Sequence, residues 1–429
     1  MSELHTPATP DWLLSLLVPL HGHQPQPGVQ ALATALARAT WRKLQAACEA
    51  AGATGAHGQE APDTPLAVAL NNLGLHDWPA SARWWSPELG SCMARLSRGQ
   101  LREATIFFLL AAHGTGATGD WTLDLPQPCR LSFAGATFTA HEAVKARCEQ
   151  GRLQLWVLPP PAAPLCWQHI GAHWVLEPGQ ATDSRIDFAA GATVTSAGFE
   201  DKQVQSWTLP ASYRSGDDPE VDWPPAQTAA DLGPAWRDQA ARQTGEALDL
   251  LGQLHGNYRP WCQPLLRGLA ACRVPHAQML VSGSYRSHAG MLTVGFPIQT
   301  PLLAETLVHE ISHQYYSLLS YAVPLIDRQV ASGLYYSSFK RKDRPLEKIL
   351  FAFHATANMA FYWHGLLQMS GPWQDLADRE LGKLVGYIDS LGQTLREAPG
   401  LSPTGLACFE LQSSMLQARG LRAAALAEH

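Results

Sequence analysis

Two stretches of the chain are apolar on nearly every side, and the remainder shifts between helical and strand-like spacing. The first runs from Thr300 to Tyr321. There Leu302, Leu303, Leu307, Val308, Ile311, Tyr315, Leu318 and Leu319 leave little polar face, as in a helix enclosed by protein. Thr300 is a good N-cap, and Pro301 suits the first helical position, where a missing N–H costs nothing. The second begins near Pro345 and runs to His364, again apolar all round.

Upstream, periodic leucines in an alanine-rich background predict a helix over Ala31–Ala51. Ser86–Leu96 and Leu101–His113 follow, with Trp41, Trp78, Trp84 and Trp85 expected to pack between these helices. From Trp121 the spacing shortens. Trp121–Leu125, Cys129–Phe133, Leu153–Leu158 and His173–Leu176 alternate or run apolar between Gly and Pro, which predicts strands. Thr139–Cys148 is expected as one helix among them. Ser215–Pro225 is acidic and Pro-rich, a linker or surface loop. Ala230–His255 and Pro264–Cys272 are expected as helices. Residues 278–296 are expected as two strands joined near Ser287–Gly290, a hairpin of the kind that walls a substrate cleft.

The expected class is therefore α+β, mainly helical. A helical region spans 1–118, a strand-rich segment and linker 119–225, and a catalytic domain 226–429. The strand-rich segment could hold a peptide by edge pairing.

With 429 residues, 46% hydrophobic and 16% charged, the composition is that of a globular protein with ample core. A net charge of −6 argues against a nucleic-acid or anionic-membrane partner. The start, Met1–Pro10, has no basic residues beyond a histidine, and the apolar run Trp12–Leu20 is short, which fits neither a signal peptide nor a membrane span. The eight cysteines form no C-x-x-C pair and read as reduced thiols of a cytoplasmic protein.

The chemistry concentrates in the first buried helix. His309 and His313 are one turn apart, so both imidazoles can reach one metal ion. Glu310 beside them can act on a water at that ion or orient a ligand. The bland alternative, two core histidines bonded to neighbours, would require several partners for two buried imidazoles. His21, His23 and His57 read as surface histidines, and His169 and His173 as structural ones. A third metal ligand is expected from the second buried helix. His354 is favoured there, Glu347 in the exposed first turn competes, and His364 lies at the far end. Asn358, one turn beyond His354, could orient its ring.

In this order Thr306–His313, Leu334–Ser337, Lys342–Leu346, Phe353–Ala355 and Phe361–Trp363 resemble the HEXXH-motif peptide-modification proteins, with Val281–Ser284 and Gly290 similar to the hairpin preceding their motif. The resemblance covers 278–364 well. Its departure is the bulkier helix tail Gln314-Tyr315-Tyr316. Members of that group are iron(II)- and 2-oxoglutarate-dependent β-hydroxylases of ribosomally made peptides. The resemblance implies a zincin-like domain in which His309, His313 and His354 hold iron and Arg344 binds the distal carboxylate of 2-oxoglutarate. Arg344 could instead pair with Asp343 or Glu347. Tyr335 and Tyr336 are core aromatics or cosubstrate donors, with Tyr336 assigned to the cosubstrate. The rivals are a zinc metallopeptidase using Glu310 as general base and a peptide-binding protein whose metal is structural.

Overall fold

In the computed structural model the described residues are 13, 16–19, 25–53, 68–69, 73, 78–125, 127–133, 136–158, 163–170, 173–177, 205–207, 234–256, 258–273, 280–284, 286, 289–331 and 333–421. They form a mixed α+β structure, mainly helical with small sheets. His21, His23, His57, the Ser215–Pro225 stretch, Ser287 and His288 lie outside them. The chain divides into two compact units. One comprises Gln30–Gly245 and Leu265–Ile298; the other comprises Met1–Val29, Glu246–Pro264 and Gln299–His429.

The first unit opens with helices α1 (Gln26–Ala53), α2 (Pro87–Ser97) and α3 (Leu101–Gly114). Ser86 caps α2, its hydroxyl accepting from the Leu89 amide at 3.3 Å, with Pro87 in the first turn. The tryptophans pack as expected: Trp41 meets Trp78 edge-on at 6.0 Å, and Trp78 meets Trp84 at 5.3 Å.

Strands β1 (Gly119–Asp124), β2 (Cys129–Phe133), β3 (Ala136–Ala140), β4 (Ala143–Glu149), β5 (Arg152–Leu158), β6 (Leu165–Ile170) and β7 (His173–Leu176) follow. Five of them make an antiparallel sheet in the order β1-β4-β5-β6-β7, and β2 pairs with β3. The expected helix over Thr139–Cys148 is thus a strand end and a full strand. Its helix-forming Ala, Lys and Glu mislead, because the decisive period is two. Val144, Ala146 and Cys148 are buried while Lys145, Arg147 and Glu149 are exposed. Gln150 and Gly151, at φ 50° and 73°, close a two-residue turn into β5, the tight hairpin geometry that demands positive φ.

A second sheet has the order β10-β11-β9-β8, from β8 (Gln205–Trp207), β9 (Gly268–Arg273), β10 (Ser282–Ser284) and β11 (Met291–Phe296). The predicted hairpin is present as antiparallel β10–β11. The helix expected over Pro264–Cys272 is not: β9 pairs in parallel with β11, a non-local partner that local periodicity does not reveal. Gly290 sits at φ 80°, where a Cβ would overlap the Arg267 side chain. His169 is structural, its Nε2 2.7 Å from Arg83 Nη1. Helix α4 (Pro234–Gln253) closes this part of the chain.

The second unit carries α5 (Tyr258–Cys262), α6 (Thr300–Ala322), β12 (Leu334–Ser337), β13 (Lys342–Pro345), α7 (Leu346–Leu367), α8 (Gln374–Glu397) and α9 (Pro403–Ala418). Helix α6 starts one residue earlier than the cap assignment required. Gln299 is the N-cap without a side-chain bond, and Thr300, already helical, donates its hydroxyl to Glu246 Oε2 at 3.2 Å. Pro301 is in the first turn as expected.

Helices α6 and α7 are antiparallel. Tyr362 donates to the Pro301 carbonyl (3.0 Å), Asn358 to Ser312 Oγ (3.0 Å), and Tyr316 stacks on His354. Helix α8 lays an apolar stripe, Ala377, Leu381, Leu384, Ile388, Leu391 and Leu395, against α7. Ser402 caps α9, whose Phe409 meets Phe353 edge-on at 4.9 Å. No helix among the described residues is long and apolar enough to cross a membrane.

Candidate metal centre

The i, i+4 spacing on α6 does what the sequence requires of it. His309 and His313 project from one face with their rings perpendicular (87°) and their Nε2 atoms 3.1 Å apart. Two nitrogens bound to one ion at about 2.1 Å, with roughly 90–110° between them, lie about 3.0–3.4 Å apart. The observed spacing matches two ligands of a single ion, and it is also that of a hydrogen bond between the two imidazoles. Glu310 brings Oε1 to 3.8 Å from His309 Nε2, and the ligand atoms of His309, Glu310 and His313 all lie within 4.8 Å of one another. The Glu310 side chain is 3% exposed and that of His309 16%, so the group is reached from the histidine side.

Each imidazole rests on a phenyl ring from another element. Phe339, in the turn between β12 and β13, is nearly parallel to His309 (5.9 Å, 22°). Phe351 of α7 is nearly parallel to His313 (6.3 Å, 23°). Each phenyl in turn carries a lysine: Lys340 Nζ lies 5.4 Å from the Phe339 centroid and Lys348 Nζ 5.9 Å from that of Phe351.

Burial dominates the electrostatics. It lowers the His309 pKa, against the pull of the Glu310 carboxylate and with the help of Lys340. His313 is held well below the usual histidine range, first by burial and then by His309, His354, Lys348 and Lys340. Both rings are therefore neutral and offer lone pairs, the form a metal ligand must take. His313 Nδ1 is buried without a protein partner.

His354 is not among the residues whose ligand atoms cluster within 4.8 Å, although its ring is near enough to act on the charge of His313. Its ring is fully buried one level along the α6–α7 interface, stacked on Tyr316 at 4.0 Å with its Nε2 3.5 Å from Asn358 Nδ2. Burial pushes its pKa down to about 3, outweighing the opposing Gln412 side chain and Ser312 carbonyl. At the level of His313, α7 presents Phe351 instead. Asn358 is beside His354 as expected, with both amide hydrogens directed at the Leu17 carbonyl and Ser312 Oγ.

Glu347 is half-buried in the first turn of α7 and outside the ligand group. His364 is at the far end of α7, its pKa lowered by burial and by Arg419. Arg344 lies on β13 opposite Tyr335, half-buried. Tyr336 lies opposite Asp343 and is 56% exposed. Sequence reasoning missed Phe339, Phe351, Lys340 and Lys348, because each meets the histidines across elements rather than along a helix. The seven cysteines whose side chains are described are buried and form no disulfide with one another. No family model matches the chain, and no curated protein does.

Proposed function

We propose that His309, Glu310 and His313 hold one divalent transition metal in a zincin-like catalytic domain. On this reading the protein is an iron(II)- and 2-oxoglutarate-dependent oxygenase that hydroxylates a side chain, at its β-carbon, of a ribosomally made peptide. The observation carrying the reading is the 3.1 Å separation of the Nε2 atoms of two half-buried imidazoles with a buried carboxylate 3.8 Å from one of them. Two imidazoles and one carboxylate with coordination positions left open are the donor set of non-haem iron oxygenases. The order of motifs around them resembles the peptide-modification group, and buried cysteines with no disulfide among those described suit a reducing cytoplasm. When bound, iron and keto acid would supply the oxidising power that turns C–H into C–OH, coupled to conversion of 2-oxoglutarate to succinate and carbon dioxide.

The chain's own residues do the rest. Burial keeps both imidazoles unprotonated. Phe339 and Phe351 fix their planes. Arg344 offers a guanidinium fork for the distal carboxylate, which a lysine could not match bidentately. Tyr336, also expected at the cosubstrate, lies on the opposite face of the ribbon from Arg344, whose cross-strand partner is Tyr335.

Glu310 also favours a second reading. A buried carboxylate beside two metal-binding imidazoles can take a proton from water, as in a zinc metallopeptidase. Anaerobic addition of iron(II) and 2-oxoglutarate distinguishes the two. A weak visible charge-transfer band is expected from the oxygenase, and Arg344→Ala should weaken it while leaving iron content intact. Cleavage of a casein-like substrate without any keto acid, and no band, would establish the peptidase instead.

A further inference from the structure

The ribbon that delivers Phe339 to His309 opens a strongly basic stretch of the chain, of which Arg341 and Lys342 have no part in the centre described above. From Lys340 to Lys348 the chain has five cations, Lys340, Arg341, Lys342, Arg344 and Lys348, against two carboxylates, Asp343 and Glu347. This sits in a chain of net charge −6. Lys340, Arg341 and Lys342 are exposed. Strands β12 and β13 pair with each other and with no third strand among the described residues. Helices α7 and α8 touch the ribbon, so an extended chain is left the side on which Leu334 and Tyr336 are exposed. Leu334 and Tyr336, 67% and 56% exposed, give it apolar contact.

Arg341 adds an independent sign. It holds φ 52° at the end of the turn, the left-handed region where glycine is the cheap residue.

We propose that the β12–β13 ribbon docks an acidic, extended segment of the peptide substrate and so leads the modified residue to the centre at its tip. This deepens the peptide-hydroxylase reading, on which it rests. Charge complementarity recruits the segment, and alignment along a strand edge supplies backbone pairing.

The test is fluorescence anisotropy with three labelled probes: an alternating glutamate–valine peptide, its lysine–valine counterpart, and a single-stranded oligonucleotide of equal length. The wild-type protein should bind the acidic peptide, more weakly at high salt, and leave the basic one free. Lys340→Glu with Lys342→Glu should reduce acidic-peptide affinity by at least about tenfold. Arg341→Gly, which the left-handed turn accommodates, should reduce it by a smaller factor while folding normally. Unchanged affinity in both variants would overturn the proposal, as would equal binding of the basic peptide or oligonucleotide binding as tight as that of the acidic peptide. The keto-acid band needs no peptide, so failure of docking and failure of the oxygenase reading register separately.

Discussion

Phe339 lies nearly parallel to His309, ring centroids 5.9 Å apart, and it reaches that position from a hairpin turn rather than from the helix bearing the histidine. Its other edge meets Tyr387 of α8 at 5.3 Å and 72°. The imidazole plane is thus supported by a ring outside the proposed ligand set, as outer groups orient the ligands of a metal. Phe339→Ala should lower metal affinity at least about tenfold, and Phe339→Leu by less, since an apolar wall remains. Competition with a chromogenic chelator measures both. Equal affinities in the three proteins would show that the stack has no bearing on the ligand.

The ligand set is tested by metal content after dialysis. His309→Ala and His313→Ala should each lose the ion, because no described group replaces a missing nitrogen within the 4.8 Å cluster. His354→Ala should keep the ion and lose stability, since its ring fills a closed site against Tyr316. If a folded His354→Ala protein loses metal as fully as His313→Ala, the His–Glu–His set is wrong and the third ring belongs to it.

Much of this centre was legible. The i, i+4 pair and the all-round apolarity of α6 and α7 follow from local spacing, and Pro345 marks the start of α7. What a helix pattern does not encode is the register in which two helices meet. Side chains three residues apart on α7, Phe351 and His354, both come near α6 here: Phe351 lies nearly parallel to His313, and His354 stacks on Tyr316. The same limit hid β9, whose partner β11 lies far along the chain. Strand β4 was hidden differently. Its Ala, Lys and Glu favour helix by composition, although Val144, Ala146 and Cys148 alternate correctly for a strand.

Acid should destabilise the unit containing His113. This fully buried ring donates from Nδ1 to the Ala117 carbonyl at 2.8 Å and accepts at Nε2 from Trp121 Nε1 at 2.9 Å. A second proton would have to sit on the nitrogen already facing a donor, and burial lowers the pKa to about 4. The unfolded ring titrates near 6.5, so between those values the unfolded state binds more protons and stability falls with falling pH. The loss accumulates to about 3 kcal/mol by the lower value. Urea unfolding across this range should show it, and His113→Gln, less stable at neutral pH, should lose less on acidification. Parallel pH profiles for the two proteins would assign the acid sensitivity to other groups.

Asn358 supplies the last expectation. Its amide nitrogen donates to the Leu17 carbonyl and to Ser312 Oγ, each at 3.0 Å, tying a segment near the N-terminus to the residue beside His313. Both bonds are buried. Asn358→Ala removes both donors and leaves a small void, which should cost about 2–4 kcal/mol. Asn358→Asp keeps the shape but turns an acceptor toward the Leu17 carbonyl and brings a charge into an apolar interface, so it should cost more than the alanine variant. That order is the informative result, because a site valued only for volume would tolerate the near-isosteric aspartate best. Chemical unfolding of the three proteins decides it. An aspartate variant as stable as wild type would mean that water reaches this position and that the tie to Leu17 does not hold the helix pair in place.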